Sequence, residues 1–175
     1  RTSLLNLLIN KPMRKKLILD ASRKLFNQDG LSNVTIRQIA MGLNMSSGNL
    51  NYHFKTRGDV LCGVFDDLMV IEEKFIQLYI TTNLDEVRLI KLMKAHAKAM
   101  FDYRFFWLDF VQVGRENIKV QKRVDELMQN RIDVLDFEWA NYLNQFLYIM
   151  ATSNMKFTSK SLEKHFEKVG EKVFA

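Results

Sequence analysis

The residues best suited to chemistry in this sequence lie close together, in the run Ser46-Ser47-Gly48-Asn49-Leu50-Asn51-Tyr52-His53-Phe54-Lys55. Hydroxyls, carboxamides, a phenol, an imidazole and an ammonium stand side by side there, but no nucleophile has a base and an acid arranged around it. Such a set suits hydrogen-bonded recognition of a polar, anionic surface. Gly48 and Asn49 are poor helix formers, and a helix selected for stability alone would not contain them. On a helix entering the major groove of DNA each has a use: Gly48 lets the backbone approach base edges, and Asn49 offers the bidentate amide that suits adenine. Ser46 and Ser47 can serve phosphate oxygens as well as the helix's own N-terminus, and Tyr52, His53 and Lys55 supply donors toward the backbone. Thr35, at the start of the preceding helix, is placed to do the same.

Positioning these groups requires helices, and the flanking sequence predicts them. From Met13 to about Asn27, Leu17, Ile18, Ala21, Leu25 and Phe26 recur at three- and four-residue spacing, an amphipathic helix stopped at Asp29-Gly30. Thr35 followed by Gln38 forms a capping box for a short helix with Ile36, Ile39, Ala40 and Leu43 as its buried stripe, closed by Gly42. Ser46 caps a second short helix through His53, with Leu50 and Phe54 inward. The tight, glycine-containing turn between them is the helix-turn-helix arrangement. Thr56 then caps a long helix whose apolar phase runs through Val60, Leu61, Val64, Phe65, Leu68, Ile71, Phe75 and Leu78. The remainder reads as helices over Leu84 to Phe101, a run from about Asn117 to Met150, and Leu162 to Val173.

Composition agrees with an all-α chain, because 47% hydrophobic content with 13 Phe, 9 Met and a single Pro favours packed helices over turn-rich sheet. The formal charge of +6 is uneven: residues 1–60 hold 10 Lys and Arg against 3 Asp, so the basic excess lies wholly in the first third. That asymmetry points to a polyanion partner for the first third and another task for the rest. Cys62 is the one cysteine and cannot form an internal disulfide, which favours a reducing, cytoplasmic setting. No apolar run is long enough to span a membrane. Leu4, Leu5, Leu7, Leu8 and Ile9 are read as an arm that packs on the protein or on a partner subunit, with a weak membrane anchor as the alternative.

The segment Ile18 to Leu61, ILDASRKLFNQDGLSNVTIRQIAMGLNMSSGNLNYHFKTRGDVL, resembles the DNA-binding domain of the TetR family of bacterial transcriptional regulators. The likeness rests on Leu-Phe-x-x-x-Gly ending the first helix, Thr-x-x-x-Ile-Ala, the small residues before Tyr-x-Phe, and the basic residue opening the next helix. It implies a homodimeric repressor that binds a palindromic operator and is released by a small-molecule effector held in a helical C-terminal domain. By position the family's DNA contacts fall on Thr35, Arg37, Ser46, Ser47, Gly48, Asn49, Tyr52, His53 and Lys55. Asn51 stands where many relatives carry an aromatic residue, and Arg57 where Lys is usual. The expected organisation is a three-helix DNA-binding domain over 13–60 and a helical effector-binding and dimerisation bundle over 61–175.

Aromatics crowd 101–110 and recur at Phe137, Trp139, Tyr142, Phe146 and Tyr148. Two readings stand: an apolar cavity for a flat or hydrophobic effector, or plain core. Met93, His96, Met100, Tyr103, Trp107, Trp139 and Tyr142 are the candidate effector contacts. His96 lies in phase with Leu89, Leu92 and Met100, so it points inward either as a satisfied core histidine or as a ligand contact. The stripe from Ile118 to Ile149 is assigned, with the last helix, to the core or a dimer interface. An enzyme is disfavoured: three dispersed His and one Cys match no metal-ligand or catalytic spacing, and the pairs Asp66-Asp67 and Glu72-Glu73 read as solvated faces. No cofactor or metal is expected. The other alternative is a helical interaction module whose helix-turn-helix no longer reads a specific operator.

Overall fold

The computed structural model describes residues 2–82, 85–134 and Lys164. Every regular element among them is helical: α1 (Thr2–Asp29), a single 3-10 turn (Leu31–Asn33), α2 (Ile36–Gly42), α3 (Ser47–His53), α4 (Arg57–Thr81), α5 (Glu86–Phe101), α6 (Arg104–Leu108), α7 (Phe110–Glu116) and α8 (Ile118–Val134). The helix starts follow local chemistry. Thr35 Oγ1 accepts the Gln38 N–H at 3.3 Å while Gln38 Oε1 accepts the Thr35 N–H at 2.8 Å, a closed capping box. Thr56 and Asp59 repeat it at α4, with bonds of 3.1 and 2.9 Å. Ser46 accepts from Asn49 N–H at 3.1 Å, and Asp85 accepts from Arg88 N–H at 2.8 Å to start α5. Each such cap contributes about 1 kcal/mol by pairing N–H groups that a helix start leaves open.

Four findings differ from the expectations. The first helix does not begin at Met13 but is continuous from Thr2, with Pro12 inside it. Pro12 has no N–H for the carbonyl four residues earlier, so the ladder lacks a rung there. Leu17 leaves the buried stripe, at 55% exposed; the inward face of α1 runs instead through Ile18, Ser22 and Phe26. Ser22 fits a core because its hydroxyl donates back to the Ile18 carbonyl at 2.7 Å. At the far end of α4, Leu78 is 41% exposed. The other break is after Phe101, where the aromatic segment forms two short helices, α6 and α7, that meet at Asp109.

The core is one contiguous cluster. Ile18, Phe26, Leu31, Val34, Ile39, Ala40, Leu50 and Phe54 fill its N-terminal end, and Met93, Ala97, Met100, Tyr103, Phe105, Phe106, Val113, Val120 and Val124 its other end. Helix α4 joins them, packing on α1, α5 and α8 with Val60, Leu61, Val64, Phe65 and Leu68 buried. Phe26 meets Phe105 at 5.2 Å between ring centroids, and Phe65 meets Phe106 at 5.1 Å. Each fully buried phenyl contributes about 1.5–3 kcal/mol. Helices α1 and α4 approach so closely that a β-carbon on Gly63 would lie 2.7 Å from a Leu19 methyl.

Polar bonds fasten α1 to the α5–α6 corner. The Asn27 amide donates to the Asp102 carbonyl at 2.8 Å and accepts the Phe105 N–H at 3.0 Å. Arg23 also donates to the Asp102 carbonyl, at 3.3 Å, and its guanidinium lies 4.9 Å over the Tyr103 ring. Asp109 Oδ2 accepts the Leu31 N–H at 3.0 Å, just past Gly30, whose φ of 80° supplies the left-handed turn expected there. The N-terminal helices are thus docked through backbone groups as well as through apolar contact.

Candidate nucleic-acid interface

Helices α2 and α3 form the helix-turn-helix. The chain leaves α2 with the Met45 N–H bonded to the Ala40 carbonyl at 2.9 Å and with Asn44 at φ 53°, so the left-handed position of the turn is taken by Asn44 and not by Gly42. Asn is among the few side-chain-bearing residues that tolerate this conformation. Ile39, Ala40 and Leu50 face the core, and Arg57 Nη1 donates to the Val34 carbonyl at 2.9 Å, tying the start of α4 to the entry of α2. With Leu50 inward, the opposite side of α3 is left to solvent.

Ser46, Ser47, Gly48, Asn49 and Asn51 are exposed, Tyr52 is 63% exposed, and Arg37 and Lys55 are exposed beside them. Gly48 is informative because a β-carbon there would meet nothing nearer than Ser46 Oγ at 3.9 Å. Neither crowding nor a left-handed φ demands glycine at this position. Ser46 Oγ accepts from Asn49 N–H, which leaves its own proton to give. Thr35 is more committed: its hydroxyl donates to Gln38 Oε1 at 2.7 Å as well as accepting from Gln38 N–H.

His53 is not the free donor the sequence suggests. It is half-buried at the end of α3, with Tyr52 edge-on at 5.2 Å, and its Nδ1 has no hydrogen-bond partner among the described residues. Burial first, then the charges of Arg14, Lys15 and Lys11, hold its pKa below the usual imidazole value. At neutral pH the ring is uncharged and offers a single N–H. Lys11 and Arg14, which carry no role in the sequence reading, stand on α1 against α3: the Lys11 ammonium lies 5.3 Å from the Tyr52 ring centroid. Arg14 and Asn49 line the same cleft of about 250 Å³.

In the C-terminal part, Met93, His96, Met100, Tyr103 and Trp107 are all buried, whereas Trp139 and Tyr142 lie outside the described residues. His96 does point inward. Its Nε2 lies 3.1 Å from Glu72 Oε1, and its ring stands edge-on to Phe75 at 4.7 Å. Burial pushes the His96 pKa down to about 3, so the contact is a hydrogen bond of a neutral imidazole and not an ion pair. Glu72 was read as solvated, yet it is 1% exposed; one of two adjacent helical residues turns inward, and Glu72 follows Leu61, Phe65 and Leu68 on the buried side of α4. The Arg23 guanidinium covers the Tyr103 ring, and Trp107 meets Phe106 at 4.8 Å. Cys62 is half-buried, and burial raises its pKa more than Arg123 lowers it.

Known proteins agree with this geometry. Residues 18–61 match the family described as bacterial regulatory proteins, tetR family. Among solved structures the chain is similar to a TetR-family transcriptional regulator from Marinobacter aquaeolei, at 19% identity over 89% of this chain and 86% of that one, with a TM-score of 0.73. It is similar to a ketosteroid transcriptional regulator of Mycobacterium tuberculosis, at 17% identity over 90% and 92% of the two chains and a TM-score of 0.59. It is also similar to the fatty acid degradation regulator FadR from Bacillus halodurans, at 18% identity over 90% and 94% and a TM-score of 0.58. No curated protein matches the sequence. Residues 18–61 thus match the tetR family, and the described residues share the all-helical fold of TetR-family transcriptional regulators. Among the described residues no helix is long and apolar enough to cross a membrane, and no three His, Cys, Asp or Glu side chains cluster as metal ligands.

Proposed function

We propose that the chain is a cytoplasmic, homodimeric transcriptional repressor that leaves its operator when a small hydrophobic or aromatic effector binds. The head, 13–60, reads DNA through Arg37, Ser46, Ser47, Gly48, Asn49, Tyr52 and Lys55, with Thr35 and the neutral His53 at its margins. The body, 61–175, binds effector and pairs the two copies. Two heads then enter successive major grooves about 34–36 Å apart on a palindromic site. The observation that supports this reading is Gly48: exposed, uncrowded and helix-weakening, it has a use once a base edge comes close.

Effector release follows from α4, which runs from the head at Thr56 into the body core at Leu68. An effector favouring a different setting of α4 changes head spacing, and linkage requires DNA to weaken effector binding by the same factor. The body offers Met93, Met100, Tyr103, Trp107 and the His96–Glu72 pair to such a ligand. No part of this reading involves catalysis.

The test is selection of genomic fragments by the purified chain at two salt concentrations, followed by release with a panel that includes acyl and steroid-like compounds. A palindromic site with steep salt dependence is the expected result. Salt-insensitive or sequence-blind binding would refute operator recognition, and a bound compound that leaves operator affinity unchanged would refute release by that compound.

A further inference from the structure

The inward face of α1 changes character along its length. Positions 11, 14, 15, 18 and 22 share one side of a helix. Ile18 and Ser22 on that side are buried in the core at 1% and 0% exposure, whereas Lys11, Arg14 and Lys15 are exposed. Over the two turns before Ile18 the helix therefore presents cations, in place of apolar residues, to the end of α3. Lys11 stands over the Tyr52 ring at 5.3 Å and Lys15 over the Phe54 ring at 5.7 Å. Arg14 shares the cleft of about 250 Å³ with Leu17, Asn44, Met45 and Asn49. None of the three cations has an ion-pair partner among the described residues. Like charges one helical turn apart repel, so an unneutralised trio on one face is an arrangement that an external anion would stabilise.

We propose that Lys11 and Arg14 make α1 a second DNA-contacting element, holding backbone phosphates beside the groove that α3 enters. The proposal rests on the head's reading as a DNA-binding unit. Lys11 is positioned by Tyr52, itself a candidate contact, and Arg14 by the cleft wall that carries Asn49, so both lie at the flank of the reading helix. Their charges already reach α3, since they help hold His53 below its ordinary pKa. Phosphate contacts of this kind fix register and carry no base preference.

The experiment measures binding of the full chain to its selected operator and to a random duplex between 50 and 200 mM salt. The variants are Lys11→Ala/Arg14→Ala, the charge-keeping Lys11→Arg/Arg14→Lys, Lys55→Ala, and Lys98→Ala on α5 as a distant-charge control. Each phosphate contact contributes about 0.9 to the salt slope. The double alanine variant should therefore lose nearly two from the slope, on both duplexes, and shed roughly tenfold less affinity over that salt range than the wild type does. The charge-keeping pair and Lys98→Ala should retain the wild-type slope. An unchanged slope in the double alanine variant, with Lys55→Ala reducing it, overturns the proposal while leaving the DNA-binding reading intact. A lowered melting temperature with an unchanged slope would mean that the cations serve only the C-terminal end of α3, and overturns it as well. A wild type with no salt-dependent DNA binding defeats the reading on which the proposal stands.

Discussion

Asn27→Leu is the sharpest test of how the head is held. The side chain is 6% exposed and makes two bonds to the α5–α6 corner, 2.8 Å to the Asp102 carbonyl and 3.0 Å from the Phe105 N–H. Leucine has the same branched skeleton of heavy atoms, so the change removes polarity without leaving a cavity. The Asp102 carbonyl keeps Arg23 as a donor, and losing its Asn27 bond costs about 1 kcal/mol. The Phe105 N–H fares worse: its residue is 2% exposed, water does not reach it, and a buried donor left unmade costs about 1–3 kcal/mol. The expected loss is about 2–4 kcal/mol, a large share of the roughly 5–15 kcal/mol that holds a typical domain. Urea titration at one fixed protein concentration reads it as a lower midpoint at constant slope, with exposed Gln28→Leu as the comparison. A loss below about 1 kcal/mol, or one matching Gln28→Leu, would show that the Asn27 bonds do not hold the joint.

Asn44→Gly should leave the urea midpoint unchanged, whereas Asn44→Val should cost about 1–2 kcal/mol, because a β-branched residue clashes at a left-handed φ. Gly48→Ala should raise stability by up to about 1 kcal/mol while weakening operator binding, both measured on one preparation; a gain in both would remove the argument for close backbone approach. For His96 the folded-state pKa, about 3, lies below the ordinary 6.5, so the unfolded chain takes up the proton first as pH falls. Its contribution is complete above about pH 6.5 and is lost toward pH 3, and urea midpoints should fall less steeply between pH 7 and 4 in His96→Gln than in the wild type.

The parts of the fold written in short-range chemistry were legible before any coordinates. Thr35 with Gln38, Ser46, Thr56 and Asp29-Gly30 announce helix ends because each cap involves residues at most a few positions apart. The exposed side of α3 followed from Leu50 and Phe54 facing inward. What periodicity missed was polar and buried: Ser22, Asn27 and Glu72 count against a core in any pattern of apolar residues. Ser22 is satisfied by the Ile18 carbonyl four residues back, whereas Asn27 and Glu72 depend on Phe105 and His96, 78 and 24 positions away, which only packing brings near. Leu17 failed for the complementary reason, since being apolar and in approximate phase does not decide which side of α1 meets α4. Tyr103, Phe105, Phe106 and Trp107 were readable as buried, but side-chain type does not separate a packed ring from a ring lining a cavity.

The joint between α1 and the α5–α6 corner is addressed to main chain at its receiving end: a carbonyl at 102, an N–H at 105, an N–H at 31. A side chain that reads backbone is indifferent to the identity of the residue it reads. The exposed side chain at Asp102 can therefore change without undocking α1, as long as the amide at 27 and the carboxylate at 109 persist, whereas Phe105 and Leu31 stay fixed by their burial in the core. Drift at this joint is therefore channelled to its exposed rim, while the amide at 27, the carboxylate at 109 and the paired rings of Phe26 and Phe105 hold it shut.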